Sequence, residues 1–189
     1  MNPWHCFDED RITPENFISI IEIPKGGRKK YELDKQTGLL RLDRMLFTST
    51  VYPANYGFIP GTISEDHDPL DVLVLCQEGL DPLVEVECYP IGVLKMIDGD
   101  EEDEKIIAIP KGDPTLNMYN DISELPQHQF QEIKHFFEVY KYLENKVTHV
   151  EQICDRKEAI KIITASIEAY RERFAKGGID QWNYSKEDK

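Results

Sequence analysis

From Phe17 to about Pro110 the apolar positions come in short runs broken by glycine, proline and charged residues, which predicts strands. Phe17-Ile18-Ser19-Ile20-Ile21-Glu22-Ile23 ends at Pro24. Residues 30–33 are followed by the turn Asp34-Lys35-Gln36-Thr37-Gly38 and by 39–43, a hairpin pair. Further strands are expected over 71–76, 83–97 and 106–109. Many short strands punctuated in this way suggest a sandwich or a small barrel. After Ser123 the period becomes helical. Phe130, Ile133, Phe137 and Tyr140 recur at spacings of three and four and share one face. A second helix starts at Asp155, an N-cap with Glu158 completing a capping box. It carries the stripe Ile160, Ile163, Ile167, Tyr170 and Phe174 and stops at Gly177-Gly178. Residues 1–16 read as an irregular lead-in and 179–189 as a polar, frayed tail. The expectation is one domain over 1–189, with a β-barrel core over 17–110 and two helices within 123–176.

Composition narrows the classes. A chain of 189 residues, 40% hydrophobic and 31% charged, buries a core as one globular domain. Apolar runs such as Val72-Leu73-Val74-Leu75-Cys76 fall far short of the ~20 residues a membrane span needs. The first residues have neither a basic start nor an apolar stretch, so no secretory signal is visible and a cytoplasmic location is expected. Cys6, Cys76, Cys88 and Cys154 form no Cys-x-x-Cys pair and read as free thiols in a reducing compartment. The net charge of -14, from 22 basic against 36 acidic residues, argues against nucleic-acid binding. It also repels any anionic substrate, unless metal ions reverse the local sign.

Chemistry concentrates in Asp66-His67-Asp68-Pro69-Leu70-Asp71. Three carboxylates in six residues repel one another, and a hard cation such as Mg²⁺ removes that cost. A solvated acidic loop fits the same residues. A calcium EF-hand does not: glycine is missing at its sixth position (Asp71) and glutamate at its twelfth (Gln77). A second acidic run spans 98–105, with Asp98 and Asp103. Alone it reads as an exposed hairpin loop, but a shared barrel mouth would join both clusters into a site for several ions. Lys30 and Glu32 point to one side of a strand, Arg44 follows its partner strand, and Tyr52, Tyr56, Tyr140 and Lys141 add hydroxyls and a cation. Taken singly, these are ordinary surface charges and core aromatics with a wet tip.

Taken in order, the pieces resemble a known family. Glu22-Ile23-Pro24, Lys30-Tyr31-Glu32, Asp43-Arg44, Tyr52-Pro53-Ala54-Asn55-Tyr56-Gly57 and Asp66-His67-Asp68-Pro69-Leu70-Asp71-Val72 come first. Gly92-Val93-Leu94-Lys95-Met96-Ile97-Asp98, Asp103, Lys105 and the run from His135 to Glu144 complete the set. The set is similar to the soluble inorganic pyrophosphatases of the compact prokaryotic type, over about residues 20–143. The resemblance implies a five-stranded, OB-like closed β-barrel flanked by two helices, a homohexamer, and Mg²⁺-dependent hydrolysis of pyrophosphate. Several ions per site are implied, with Mn²⁺ or Zn²⁺ as substitutes. It implies Asp66, Asp71 and Asp103 as ligands of the first metal, Asp71 bridging to a second. Asp98 and Asp103 with Glu32 would receive ions carried by the substrate, supported by Glu22. Asp68 would be the general base, with Tyr56 near the nucleophile. Lys30, Arg44, Lys105, Tyr140 and Lys141 would hold the phosphates, and Tyr52 would line the same cavity.

The chain departs from the family pattern in the loop 24–29, one residue shorter, in a slightly shortened 111–126, at His67, and in its tail beyond Gly177. The first departure puts the reach of Lys30 in question, and Lys29 could partly substitute for it. Two other classes fit parts of the same pattern: an OB-like protein that binds a phosphorylated ligand without turnover, and a phosphatase acting on a larger phosphoanhydride.

Overall fold

The computed structural model describes residues 2–99 and 101–175; the expected stop at Gly177-Gly178 and the tail 179–189 lie outside them. Among the described residues eight strands and two α-helices are formed. They are β1 (Phe17–Ile23), β2 (Lys29–Leu33), β3 (Leu40–Met45), β4 (Asn55–Phe58), β5 (Asp71–Val74), β6 (Glu85–Asp98), β7 (Glu101–Pro110), β8 (Thr148–Asp155), α1 (Gln127–Val139) and α2 (Arg156–Ala175).

The main sheet runs β1-β4-β5-β7-β6-β8, and β1 also pairs with β6, so five strands close into a ring. All of these pairings are antiparallel except β5 with β7. The ring closes because β6 is 14 residues long. Its first part pairs with β1 and its last part with β8, while β7 follows it from Cys88 to Asp98. A register shift between Pro90 and Gly92 bends it, which is where a strand tolerates proline. β2 and β3 form a separate hairpin.

The continuous apolar runs seen in the sequence have a packing cause. Every residue of β1 is buried. On β5 and β7, Val72, Val74, Ile106 and Ala108 join one core with Ile163, Ile167 and Phe174 of α2. The alternate residues Leu73, Ile107 and Ile109, with Leu75 just past β5, join a second core with Phe130, Ile133, Phe136 and Phe137 of α1. Each helix covers one face, so both faces of these strands are dry and neither can be polar.

Three local expectations change. The acidic run is not a loop. Glu101 to Glu104 belong to β7, and Gly99, with φ +69°, makes the turn. Two strands were not expected, β4 and β8. β4 is only four residues long, and β8 alternates buried and exposed positions only at its start. At α2, the Asp155 carboxylate accepts the Glu158 N–H at 3.0 Å, which is half of the predicted capping box. Glu158 itself turns to Lys95 and Lys161, at 2.9 and 2.8 Å. The four cysteines are free, as expected, with Cys88 buried.

Gly57 in β4 passes so close to β1 that a Cβ there would lie 1.9 Å from the Ile20 carbonyl oxygen. Backbone cannot yield as a side-chain tip can. Gly57→Ala is therefore expected to cost about 3 kcal/mol or more, seen as a lowered thermal unfolding midpoint. An unchanged midpoint would contradict this strand contact.

Candidate active site

One cavity of about 550 Å³ opens beside the ends of the ring's strands. Its wall holds Glu22 from β1, Lys30 and Glu32 from β2, Tyr56 from β4 and Asp71 from the start of β5. It also holds Asp98 from the end of β6, and Asp103 and Lys105 from β7. Asp66 and Asp68 come from the loop before β5, and Tyr140 and Lys141 follow α1. Register explains much of this convergence. Asp71 opposes Lys105 in the parallel pair and Phe58 in β4. Asp103 and Lys105 are two residues apart on one strand, so they face the same side. Arg44 stands apart from this wall. It opposes Lys30 across the hairpin, and its guanidinium binds Glu144 at 2.9 Å and also Asp43. Its buried Nη2 has no hydrogen-bond partner.

The centre is an ion cluster. The Lys105 ammonium donates to Asp71 at 2.7 Å and to both oxygens of Asp103 at 2.8 and 3.0 Å. Tyr56 donates its hydroxyl to Asp71. Lys105 is only 2% exposed and sits 5.4 Å from the ring centres of both Tyr56 and Phe137. Burial alone would favour the neutral amine, but Asp103 and Asp71 outweigh it and hold its pKa well above the usual lysine value. Lys141 shows the opposite balance. It pairs with Asp98 alone, near Lys30 and Arg44, and burial lowers its pKa.

Negative charge remains in excess. Burial, and then the neighbouring Asp71, push Glu22 up to about 8, although its carboxylate accepts the Leu33 N–H at 2.7 Å. Burial and Asp71 also raise Asp103, against the pull of Lys105. Among the described residues no three acidic, histidine or cysteine side chains converge tightly enough to hold a metal ion as they stand. Their partners are ammonium groups instead: Lys105 on Asp71 and Asp103, Lys141 on Asp98, Lys35 on Asp68, and Lys30 on Glu32. The donors are carboxylates with more charge than these lysines offset, which suits a hard divalent cation.

Some of the wall was not expected from the sequence. Lys35 and Arg41 line the cavity, yet in the sequence they are charges of a hairpin and look like any surface cation. Glu144 carried no assigned role. Its burial beside Arg44 follows from the 3-10 turn Tyr142–Glu144 after α1.

Comparisons with known proteins show the family. A family model described as inorganic pyrophosphatase matches residues 19–171. The chain belongs to the inorganic pyrophosphatase family. It is 48% identical over 174 residues to soluble inorganic pyrophosphatase 2 of Chlamydomonas reinhardtii, covering 92% of this chain and 90% of that protein. Among solved structures, the inorganic pyrophosphatase of Thermus thermophilus is similar with a TM-score of 0.85 and 40% identity, over 90% of this chain and 99% of that one. The Helicobacter pylori inorganic pyrophosphatase is similar at 0.82 and 43%, over 85% and 96% of the two chains. Both bacterial chains are covered nearly end to end, as the resemblance to the compact type implies. No helix among the described residues is long and apolar enough to cross a membrane.

Glu22 gives a test of the charge balance. Because its folded pKa lies near 8, above the ordinary 4.5, the metal-free native chain holds a proton there that the unfolded chain has lost. Stability from this group therefore falls as pH rises from about 4.5 to about 8. Glu22→Gln, which resembles the protonated acid, is expected to gain stability relative to the parent across that window, by on the order of a few kcal/mol. Denaturant unfolding in chelator at both ends of the window measures it, and parallel stability curves for the two proteins would contradict the assignment.

Proposed function

We propose that this chain hydrolyses inorganic pyrophosphate to two phosphates, with Mg²⁺ as cofactor and Asp68 as general base. The observation that carries the reading is the convergence on one cavity wall of Glu22, Lys30, Glu32, Tyr56, Asp66, Asp68, Asp71, Asp98, Asp103, Lys105, Tyr140 and Lys141. These are the residues the family pattern asks for, drawn from six strands and two connecting segments. The names of the related proteins point to the same substrate.

Asp66, Asp71 and Asp103 are the residues that would hold the first ion, with Asp71 shared by a second. Asp98, Asp103 and Glu32 would receive ions arriving with the substrate, and Glu22 supports them from behind. Oxygen donors without cysteine favour Mg²⁺ or Mn²⁺ over Zn²⁺. Bound there, such ions activate water and neutralise phosphate oxygens. The chain's own groups do the rest. Lys30, Lys105, Lys141 and Tyr140 hold the two phosphates; Arg44, which the family pattern also gives to the phosphates, lies off this wall against Glu144 and would reach them only by leaving that pair. Asp68 accepts the proton of the attacking water as its oxygen bonds to phosphorus. The bridging P–O bond breaks, and charge collects on the departing phosphate, where Lys105 and Lys141 stabilise it. Tyr56, bonded to Asp71, orients that carboxylate.

The remaining expectations follow the same reading: a single domain, the strand ring as a closed OB-like barrel, a homohexamer, a cytoplasmic location and no nucleic-acid partner. Asp68→Asn is expected to lower phosphate release from pyrophosphate with Mg²⁺ by roughly 10²- to 10⁴-fold. Asp66→Ala with Asp71→Ala should remove Mg²⁺ or Mn²⁺ binding in calorimetry. Folded, Mg²⁺-loaded protein that releases no phosphate from pyrophosphate would sink the proposal, and faster turnover of tripolyphosphate or ATP would redirect it.

A further inference from the structure

Asp68 has a partner that the reaction scheme leaves unused. Its carboxylate is ion-paired with Lys35, on the turn of the β2–β3 hairpin. That turn is closely built. Asp34 accepts the Gln36 and Thr37 N–H groups at 3.0 and 2.9 Å, and the Gly38 N–H donates to the Asp34 carbonyl at 2.7 Å. Gly38 supplies the positive φ of +71° that the turn requires. Lys35 is thereby aimed into the cavity, with its side chain about a quarter exposed.

The N-terminal segment holds this turn. Asn2 donates from its amide to the Lys35 carbonyl at 2.8 Å, and the Lys35 ammonium lies 5.8 Å from the Trp4 ring centre. Trp4 is fully buried. Its indole N–H donates to the Thr62 carbonyl at 2.8 Å, and its own carbonyl accepts the Gly61 N–H at 3.0 Å. Those two residues lead into the loop that carries Asp66 and Asp68. Behind Trp4, His5 stacks at 4.6 Å and meets the Tyr170 hydroxyl at 2.7 Å, and Phe174 packs edge-on at 5.7 Å. One short segment thus ties α2, the aspartate loop and the hairpin turn together. It lies before residue 19, where the match to the family begins.

We infer that Lys35 is a positioning residue for Asp68, and that residues 2–5 are the strap holding Lys35 there. The inference rests on the reading of Asp68 as general base. The Asp68 side chain is about half exposed, and without a partner its carboxylate turns freely towards solvent. A cation fixed from outside the loop selects the rotamer that faces the cavity. A small misplacement of a reacting group costs up to about 100-fold in rate, so one ion pair at this place matters more than a surface pair elsewhere.

The test uses the full chain with pyrophosphate and Mg²⁺. Lys35→Gln is expected to lower kcat by about 10- to 100-fold with KM changed by less than about twofold. Lys35→Arg, which keeps the cation, should recover most of that loss. Trp4→Phe, which keeps ring packing but loses the bond to Thr62, should lower kcat in the same direction and by less. Amide exchange offers a readout independent of turnover. The Asp68 N–H, bonded to Asp66 at 2.9 Å, should exchange faster in Lys35→Gln than in the parent. An active parent with unchanged kcat in Lys35→Gln overturns the inference, as does a loss that falls on KM alone. A parent that hydrolyses no pyrophosphate overturns the proposed function instead, and the exchange rates then still decide whether Lys35 holds the loop.

Discussion

The Lys105 ammonium, bonded to Asp71 and Asp103 and flanked by the rings of Tyr56 and Phe137, is the contact on which the site depends. A buried lysine is costly alone, and two half-buried carboxylates beside each other are costly too. Together they offset one another, and the three charges stay within hydrogen-bonding reach. Asp71 faces Lys105 across the single parallel pairing of the ring, while Asp103 lies two residues before it on the same strand. Shifting that register by one residue would turn these side chains to the other face. The pairing of β5 with β7 is therefore both a structural and an electrostatic constraint.

The rest of the fold protects that register. β5 and β7 are apolar on both faces because α1 covers one and α2 the other. Because both faces are apolar, alternation alone does not set the register there; the fit of the side chains against each helix and the Asp71–Lys105 pair do. The carboxylates of the site then come from positions near strand ends and from the loops beyond them. That is where Glu22, Asp71, Asp98 and Asp103 are found. Buried Asn55 ties two of these connections, accepting the N–H groups of Lys25 and Leu80 at 2.9 and 2.8 Å.

Charge links the site to the whole molecule. A chain of net charge -14 repels anions at long range. At the cavity the lysines cover only part of the carboxylate charge, and Glu22 is pushed up to about 8 by burial first and by Asp71 second. The lysines differ in how firmly they are held. Lys105 is locked by two carboxylates. Lys141, whose pKa burial lowers, is held by one. Arg44 keeps a donor free and is anchored by Glu144. Cations bound with such unequal strength can rearrange around an incoming anion without the cluster collapsing.

Much of this was legible in the chain itself. Period and punctuation placed β1, the hairpin, β6 and both helices, because a strand or helix with a dry face must show that face in its sequence. The ordered aspartates, lysines and tyrosines indicated a phosphate-handling site. Other features were not legible. β4 has only four residues, and at β8 the alternation breaks down after the first few positions. Glu101 to Glu104 read as a loop, yet they extend β7 because β6 pairs with them. Tertiary contacts alone joined Asp71 to Lys105, set Arg44 off the cavity wall against Glu144, and brought Trp4 and Lys35 to the loop of Asp68. The reason is physical. Local sequence determines which backbone shape and which dry face a segment prefers, whereas the partner of a charged side chain is set by strands and loops distant along the chain, whose placement no local pattern encodes.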